Sequence, residues 1–144
     1  MKKVMFIGSS GSGKTTLYQR LESYDIGYDK TQVIEFHKNV IDTPGEYLEN
    51  RGYYSALQVT SVEADIVALI MDCKARHCVF PPGFARMFTK PIIGIVTKTD
   101  LIQEGENTNY AEDSLRLSGV NEIFKISSMK NYKIAELRKF LEWS

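Results

Sequence analysis

The stretch Gly8-Ser9-Ser10-Gly11-Ser12-Gly13-Lys14-Thr15 decides how the chain is read. It has the form G-x-x-x-x-G-K-[ST], and it follows the apolar run Val4-Met5-Phe6-Ile7. Residues 14–23 (KTTLYQRLES) come next, with Leu17 and Leu21 at helical spacing. A strand, a glycine-rich bend and a helix in this order make a phosphate cradle. Gly8, Gly11 and Gly13 let the backbone turn its N–H groups inward, and the helix N-terminus adds its positive dipole end. Ser9, Ser10, Ser12 and Thr16 belong to the same cradle. Lys14 is the candidate for the outer phosphates and the Thr15 hydroxyl for Mg²⁺.

Outward from this loop, strands and helices alternate. Val33–Phe36 and Asn39–Asp42 read as strands, with residues 24–32 a polar loop before them. The segment from Thr43 reads as a turn that becomes helix from about Tyr53. Residues 65–72 (DIVALIMD) and 90–100 (KPIIGIVTKTD) hold β-branched runs uncharged inside, which suits parallel strands covered on both faces. Pro81-Pro82-Gly83 breaks the chain before a short helix at Phe84–Phe88. A helix over 109–118 stops at Gly119, and Glu122–Ile126 is the last strand. Residues 131–143 form a closing amphipathic helix with Ile134, Leu137, Phe140 and Leu141 on one face. The pattern predicts an α/β doubly wound sheet, with residues 1–144 as one domain.

Bulk composition narrows the function classes. The 18 basic and 18 acidic residues balance, which gives no support for electrostatic capture of nucleic acid or an anionic membrane. No apolar run reaches membrane-spanning length, and Val4–Ile7 is too short for a signal peptide core. Cys73 and Cys78 bracket His77 (CKARHC), but His37 is the only other histidine, so a four-ligand zinc site is not supported. Free thiols suit a reducing compartment, and a cytoplasmic location is expected.

Three further elements speak to the ligand. Asp42-Thr43-Pro44-Gly45-Glu46 ends a strand 28 residues beyond Lys14. Asp42 is a candidate for the Mg²⁺ shell, and the Gly45 N–H for a γ-phosphate. Thr97-Lys98-Thr99-Asp100 closes the strand IIGIV and fits [NT]-K-x-D. The Asp100 carboxylate can accept from guanine's ring N–H and exocyclic amine, whereas adenine would leave it unpaired. Thr97 and Lys98 would tie this turn to the loop. Ser127 and Ser128 follow the last strand and resemble the [ST]-A-x loop that GTPases place there, with Ser128 in place of the Ala; the resemblance implies a backbone N–H of Ser128 for the guanine carbonyl.

These four elements resemble those of the Ras-like small GTPases across essentially the whole chain. The resemblance implies a three-layer α/β/α P-loop NTPase with a mostly parallel sheet of about six strands, one of them an antiparallel edge. It implies GTP or GDP and Mg²⁺ as ligands. It also implies a loop threonine capping Mg²⁺, for which Thr31 is the candidate and a plain polar loop residue the alternative. More narrowly, GSGKTTL, KTQVIEF, IDTPGEYLEN and IVTKTDL resemble the EutP/PduV family of bacterial ethanolamine and propanediol utilisation. That resemblance implies association with a catabolic microcompartment, with a shell protein or metabolic enzyme as partner.

Glu46 stands where many Ras-like proteins carry a water-orienting Gln. A carboxylate beside a γ-phosphate is unfavourable, so slow hydrolysis is expected, with Lys14, Thr31, Gly45 and Glu46 as the candidate catalytic set. Arg51 is a candidate internal arginine; an ordinary surface arginine is the simpler reading. Two rival readings stay open: an ATP-using, acetate-kinase-like phosphotransferase, and a nucleotide-binding scaffold without turnover. Tyr47, Tyr53 and Tyr54 form a candidate contact surface for the scaffold, with core packing of at least one of them as the alternative.

Overall fold

The computed structural model describes residues 1–22 and 33–143. Among them run β1 (Val4–Ile7), α1 (Lys14–Leu21), β2 (Glu35–Phe36), β3 (Val40–Asp42), α2 (Gly45–Glu49), α3 (Tyr54–Thr60), β4 (Ile66–Asp72), β5 (Ile92–Thr97), α4 (Asn109–Ser118), β6 (Glu122–Lys125) and α5 (Ile134–Phe140). Among the described residues the sheet has six strands in the order β2-β3-β1-β4-β5-β6. Every pairing is parallel except that of β2 with β3.

The three layers follow from the period-2 alternation of strands. In β1, Met5 and Ile7 join one core cluster while Val4 and Phe6 join another. β4 splits the same way, with Val67, Leu69 and Met71 on the first side and Ile66, Ala68 and Ile70 on the second. Leu48, Leu57, Ala111 and Leu115 of α2, α3 and α4 cover the first face. Leu17 and Leu21 of α1 cover the second, with Leu137 of α5 and Leu141 just after it. Strands buried on both faces explain why β1, β4 and β5 read as unbroken apolar runs.

Several boundaries differ from the sequence expectations. Only Glu35 and Phe36 of the first expected edge strand pair, and both are exposed, because an edge strand has a single neighbour to order it. The segment after Thr43 does not stay a turn: Pro44, in an extended conformation, opens the short helix α2. A 3₁₀ turn at Arg51–Tyr53 then leads into α3, with the Asn50 side chain accepting from the Gly52 N–H at 2.9 Å. The last helix is shorter than 131–143. Residues Ser127 and Tyr132 form an isolated antiparallel bridge, which holds the preceding segment in a turn until Lys133. Phe140 lies at the rim of α5, 37% exposed, with its ring 5.0 Å from that of Phe124. By contrast α4 ends where expected, with Gly119 at φ 112° closing it.

Candidate functional site

In an open parallel sheet, the loops beyond the carboxyl ends of the strands gather along one edge. Here they are the turns after β1, β3, β4, β5 and β6. The register aligns their ends: Phe6 lies opposite Asp42, Asp72 opposite Thr97, and Val96 opposite Lys125. The segments carrying Gly8–Thr16, Asp42–Glu46, Thr97–Asp100 and Ser127–Ser128 therefore converge, though they are spread over 120 residues.

The glycine-rich loop is tightly built. A Cβ on Gly8 would stand 2.7 Å from both the Ile70 carbonyl oxygen and Ser12 Oγ. Gly11 and Gly13 adopt φ 79° and 102°, a region that side chains disfavour. The Lys14 ammonium, almost fully buried, donates to the carbonyls of Gly8 at 2.7 Å and Ser9 at 3.1 Å. Burial lowers its pKa from the ordinary lysine value, and the carboxylates of Asp42 and Glu49 offset part of that. Ser12 Oγ is buried and has no hydrogen-bond partner among the described residues.

Thr15, in the first turn of α1, meets Asp42 at the end of β3, its hydroxyl donating to Asp42 Oδ2 at 3.0 Å. Thr43, next in line, donates to the Phe6 carbonyl at 2.7 Å and fixes the end of β3 beside β1. A hydroxyl and a carboxylate are hard oxygen donors, the set a Mg²⁺ ion takes alongside phosphate oxygens and water. Among the described residues no group of three or more His, Cys, Asp or Glu is gathered to hold a metal. Cys73 and Cys78 are free thiols, and His77 is exposed.

Gly45 lies hard against the loop. A Cβ there would come within 2.1 Å of the Ser10 nitrogen. Glu46, in the first turn of α2, is exposed, as is Arg51. Thr31 lies outside the described residues. The tyrosines do not form one exposed patch. Tyr47 and Tyr53 stack with centroids 4.4 Å apart, while Tyr54 is half-buried and packs edge-on to Phe84 at 5.2 Å.

On the other side of the loop, Thr97 Oγ1 donates to the Ser12 carbonyl at 2.5 Å, and Lys98 Nζ to the Gly11 carbonyl at 2.6 Å. Lys98 stands in a left-handed conformation with φ 62°. Ser127 donates to Asp100 Oδ1 at 2.7 Å, which fixes the carboxylate. Gly13, Thr16, Thr97, Lys98, Asp100, Ser128 and their neighbours line a cleft of about 330 Å³. That volume lies at the lower end of the range for small-molecule sites.

Three residues to which sequence reasoning gave no part in this site complete the arrangement. Asp72, at the end of β4, pairs with Lys98 at 3.1 Å. Its place at the end of an apolar run was a readable signal. Arg20 of α1 donates from Nε to the Ser128 carbonyl at 2.6 Å. Cys73 donates to the Lys98 carbonyl at 3.1 Å and supports the turn from below. For Arg20 and Cys73 no local pattern announces a partner 108 or 25 residues away.

Orphaned Ser12 Oγ, glycines where a Cβ would collide, and a paired hydroxyl and carboxylate are together suited to a nucleotide phosphate with Mg²⁺. Comparison with known proteins agrees in fold and family. A family model described as PduV-EutP, ethanolamine utilisation - propanediol utilisation, matches residues 1–143. The propanediol utilization protein PduV of Citrobacter freundii is 42% identical over 141 residues, covering 98% of this chain and 93% of that protein. A protein of Escherichia coli K12 named probable acetate kinase EutP is 36% identical over 103 residues, covering 70% of this chain and 65% of that one. Among solved structures, Era in complex with MgGDPNP and a 16S ribosomal RNA segment aligns with TM-score 0.66 and 21% identity, over 99% of this chain and 56% of Era. A bacterial selenocysteine-specific elongation factor aligns with TM-score 0.70 and 23% identity, over 98% of this chain and 28% of the factor. These two likenesses show the α/β P-loop fold.

Proposed function

Because the chain belongs to the ethanolamine utilisation and propanediol utilisation family, we propose that it is a guanine-nucleotide-binding protein with slow, Mg²⁺-dependent GTP hydrolysis. The observation that carries the proposal is Asp100, held by Ser127 at 2.7 Å at the rim of a cleft that runs into the glycine-rich loop. A fixed carboxylate in that position favours a base offering two adjacent N–H donors, which is guanine. Ser128 supplies a backbone N–H for the guanine carbonyl, and Lys98 lays its alkyl stem along the base.

In this reading the amides from Gly8 to Gly13 and the Lys14 ammonium hold the phosphates. Lys14 must then leave the Gly8 and Ser9 carbonyls for the phosphate oxygens. Thr15 and Asp42 would hold Mg²⁺, with Thr31 as a further candidate ligand. The ion, when bound, neutralises phosphate charge. Gly45 presents its N–H toward the γ-phosphate position. Glu46 adds negative charge near that position and keeps hydrolysis slow. Single-turnover GTP hydrolysis by Glu46→Gln tests this: an unchanged rate removes residue 46 from the mechanism. A shell protein or metabolic enzyme of the same catabolic pathway is the proposed partner, met at the microcompartment surface.

The relatives named probable acetate kinase favour a second reading, an ATP-using phosphotransferase. The two separate at Asp100. Titrations of GTP and ATP with Mg²⁺ against wild type and Asp100→Ala should show GTP preferred, and the preference lost in the variant. Equal affinity of the wild type for ATP would overturn the guanine reading.

A further inference from the structure

Helix α2 touches the glycine-rich loop at both of its ends. At its start Gly45 packs on the Ser10 backbone so closely that a Cβ would collide. At its end Glu49 Oε1 accepts a hydrogen bond from the Ser10 N–H at 3.3 Å. The loop is built to turn amide N–H groups toward an anion, and here one of them faces a carboxylate of the protein's own. The Glu49 charge also reaches the Lys14 ammonium, where it offsets part of the burial cost. Glu49 therefore stands toward the loop as a phosphate oxygen would: an acceptor on a loop amide and a negative charge near the loop lysine.

We propose that Glu49 sets the preference between nucleoside di- and triphosphate, acting as an internal anion that the γ-phosphate must displace. This rests on the nucleotide-binding reading above. Gly45 and Glu49 lie on one short helix, so a γ-phosphate meeting the Gly45 N–H brings its charge toward Glu49. The two anions cannot share the same amide, and the repulsion between them opposes closure. A diphosphate does not extend to this position and leaves the Ser10–Glu49 contact in place. The geometry thus biases the protein toward the diphosphate state and makes loading with triphosphate depend on the Glu49 side chain swinging away from Ser10.

The test uses Glu49→Gln, which keeps an oxygen acceptor for Ser10 but removes the charge, and Glu49→Ala, which removes both. Glu49 is exposed, so both variants should fold; thermal unfolding without nucleotide checks this. Affinities of GDP and of a non-hydrolysable GTP analogue are measured for the wild type and both variants at low and high salt. The expected result is about a tenfold rise in triphosphate affinity relative to diphosphate in Glu49→Gln. Glu49→Ala should rise at least as far, and the gain should shrink as salt screens the charge. An unchanged ratio in both variants overturns the role of Glu49. The same comparison with ADP and an ATP analogue keeps the two proposals apart. A Glu49-dependent ratio seen with adenine nucleotides and no binding of guanine nucleotides would overturn the guanine reading while upholding Glu49. Failure of both nucleotide pairs to bind would overturn both.

Discussion

Lys98 and Gly11, 87 residues apart, are joined by a hydrogen bond of 2.6 Å from the ammonium to the carbonyl oxygen. The same ammonium pairs with Asp72 at 3.1 Å. One side chain thus fastens the turn after β5 to the loop after β1 and to the end of β4. Thr97 adds a second fastening to Ser12.

This double tie predicts that base recognition and phosphate binding are coupled. Lys98→Met keeps the alkyl stem but removes both contacts. Thr97→Val leaves the Ser12 carbonyl short of its buried donor. A hydrogen bond involving a charged group is worth about 1.5–3 kcal/mol, and an orphaned buried acceptor costs about 1–3 kcal/mol. Each variant should therefore weaken GDP and GTP together by roughly tenfold or more, read by calorimetric titration. A loss confined to one nucleotide would contradict the coupling.

The loop glycines should fail for different reasons. At Gly8 a methyl group meets the Ile70 carbonyl in the buried strand β4, which cannot retreat. At Gly11 nothing lies within 4 Å of an added Cβ, and the cost is the left-handed conformation alone. Gly11→Ala should cost about 1–2 kcal/mol in urea unfolding, and Gly11→Asn less, since Asn tolerates that region. Gly8→Ala should cost more than either, with no relief from a change of residue type.

Arg20 should position the segment after β6. Its Nε–H meets the Ser128 carbonyl from α1. Lysine has no donor at that point of its stem, so Arg20→Lys should behave like Arg20→Ala. Both should weaken guanine nucleotide binding by about tenfold, on the energy scale of a charged hydrogen bond. A competition assay against a fluorescent guanine nucleotide reads the effect. Full affinity in Arg20→Lys would show that charge, not the Nε contact, matters.

Cys73 should be inert. Burial first, and then the neighbouring Asp72, pushes its thiol up from 9.0 to about 11. Cys78 is only half-buried, so a thiol reagent at pH 8 should modify it well before Cys73, read by mass spectrometry. The raised value also signs a pH effect. Below about pH 9 both folded and unfolded chains keep the proton, and the contribution is fully present. As pH rises from 9 toward 11 the unfolded thiol ionises while the folded one does not, and that stability is lost. The stability advantage of wild type over Cys73→Ala should therefore shrink between pH 8 and 10.5, read from urea midpoints.

Much of this molecule was legible one residue after another. The apolar runs 66–72 and 92–97 announced buried strands because both faces of each are covered, leaving no polar alternation to obscure them. Gly119 announced the end of α4 because a left-handed residue there needs no Cβ. The glycine-rich stretch from Gly8 to Gly13 announced a tight bend between β1 and α1, because Gly11 and Gly13 take a left-handed backbone that side chains disfavour. The edge strand β2 and helix α2 were less legible. A strand of two residues, both exposed, shows no alternation of buried and exposed positions, and α2 gains its place through Leu48 in the core and its contacts with the loop rather than through length or periodicity.

What the tertiary structure alone decided is which polar groups face one another. That Glu49 answers to Ser10, Arg20 to Ser128, Cys73 to Lys98 and Lys98 to Gly11 follows from the parallel sheet. It brings the carboxyl ends of strands distant in sequence to one edge. Residue types and local spacing determined, by themselves, a P-loop α/β chain and its candidate ligand groups. Directional hydrogen bonds between those groups needed distances that only the folded sheet supplies.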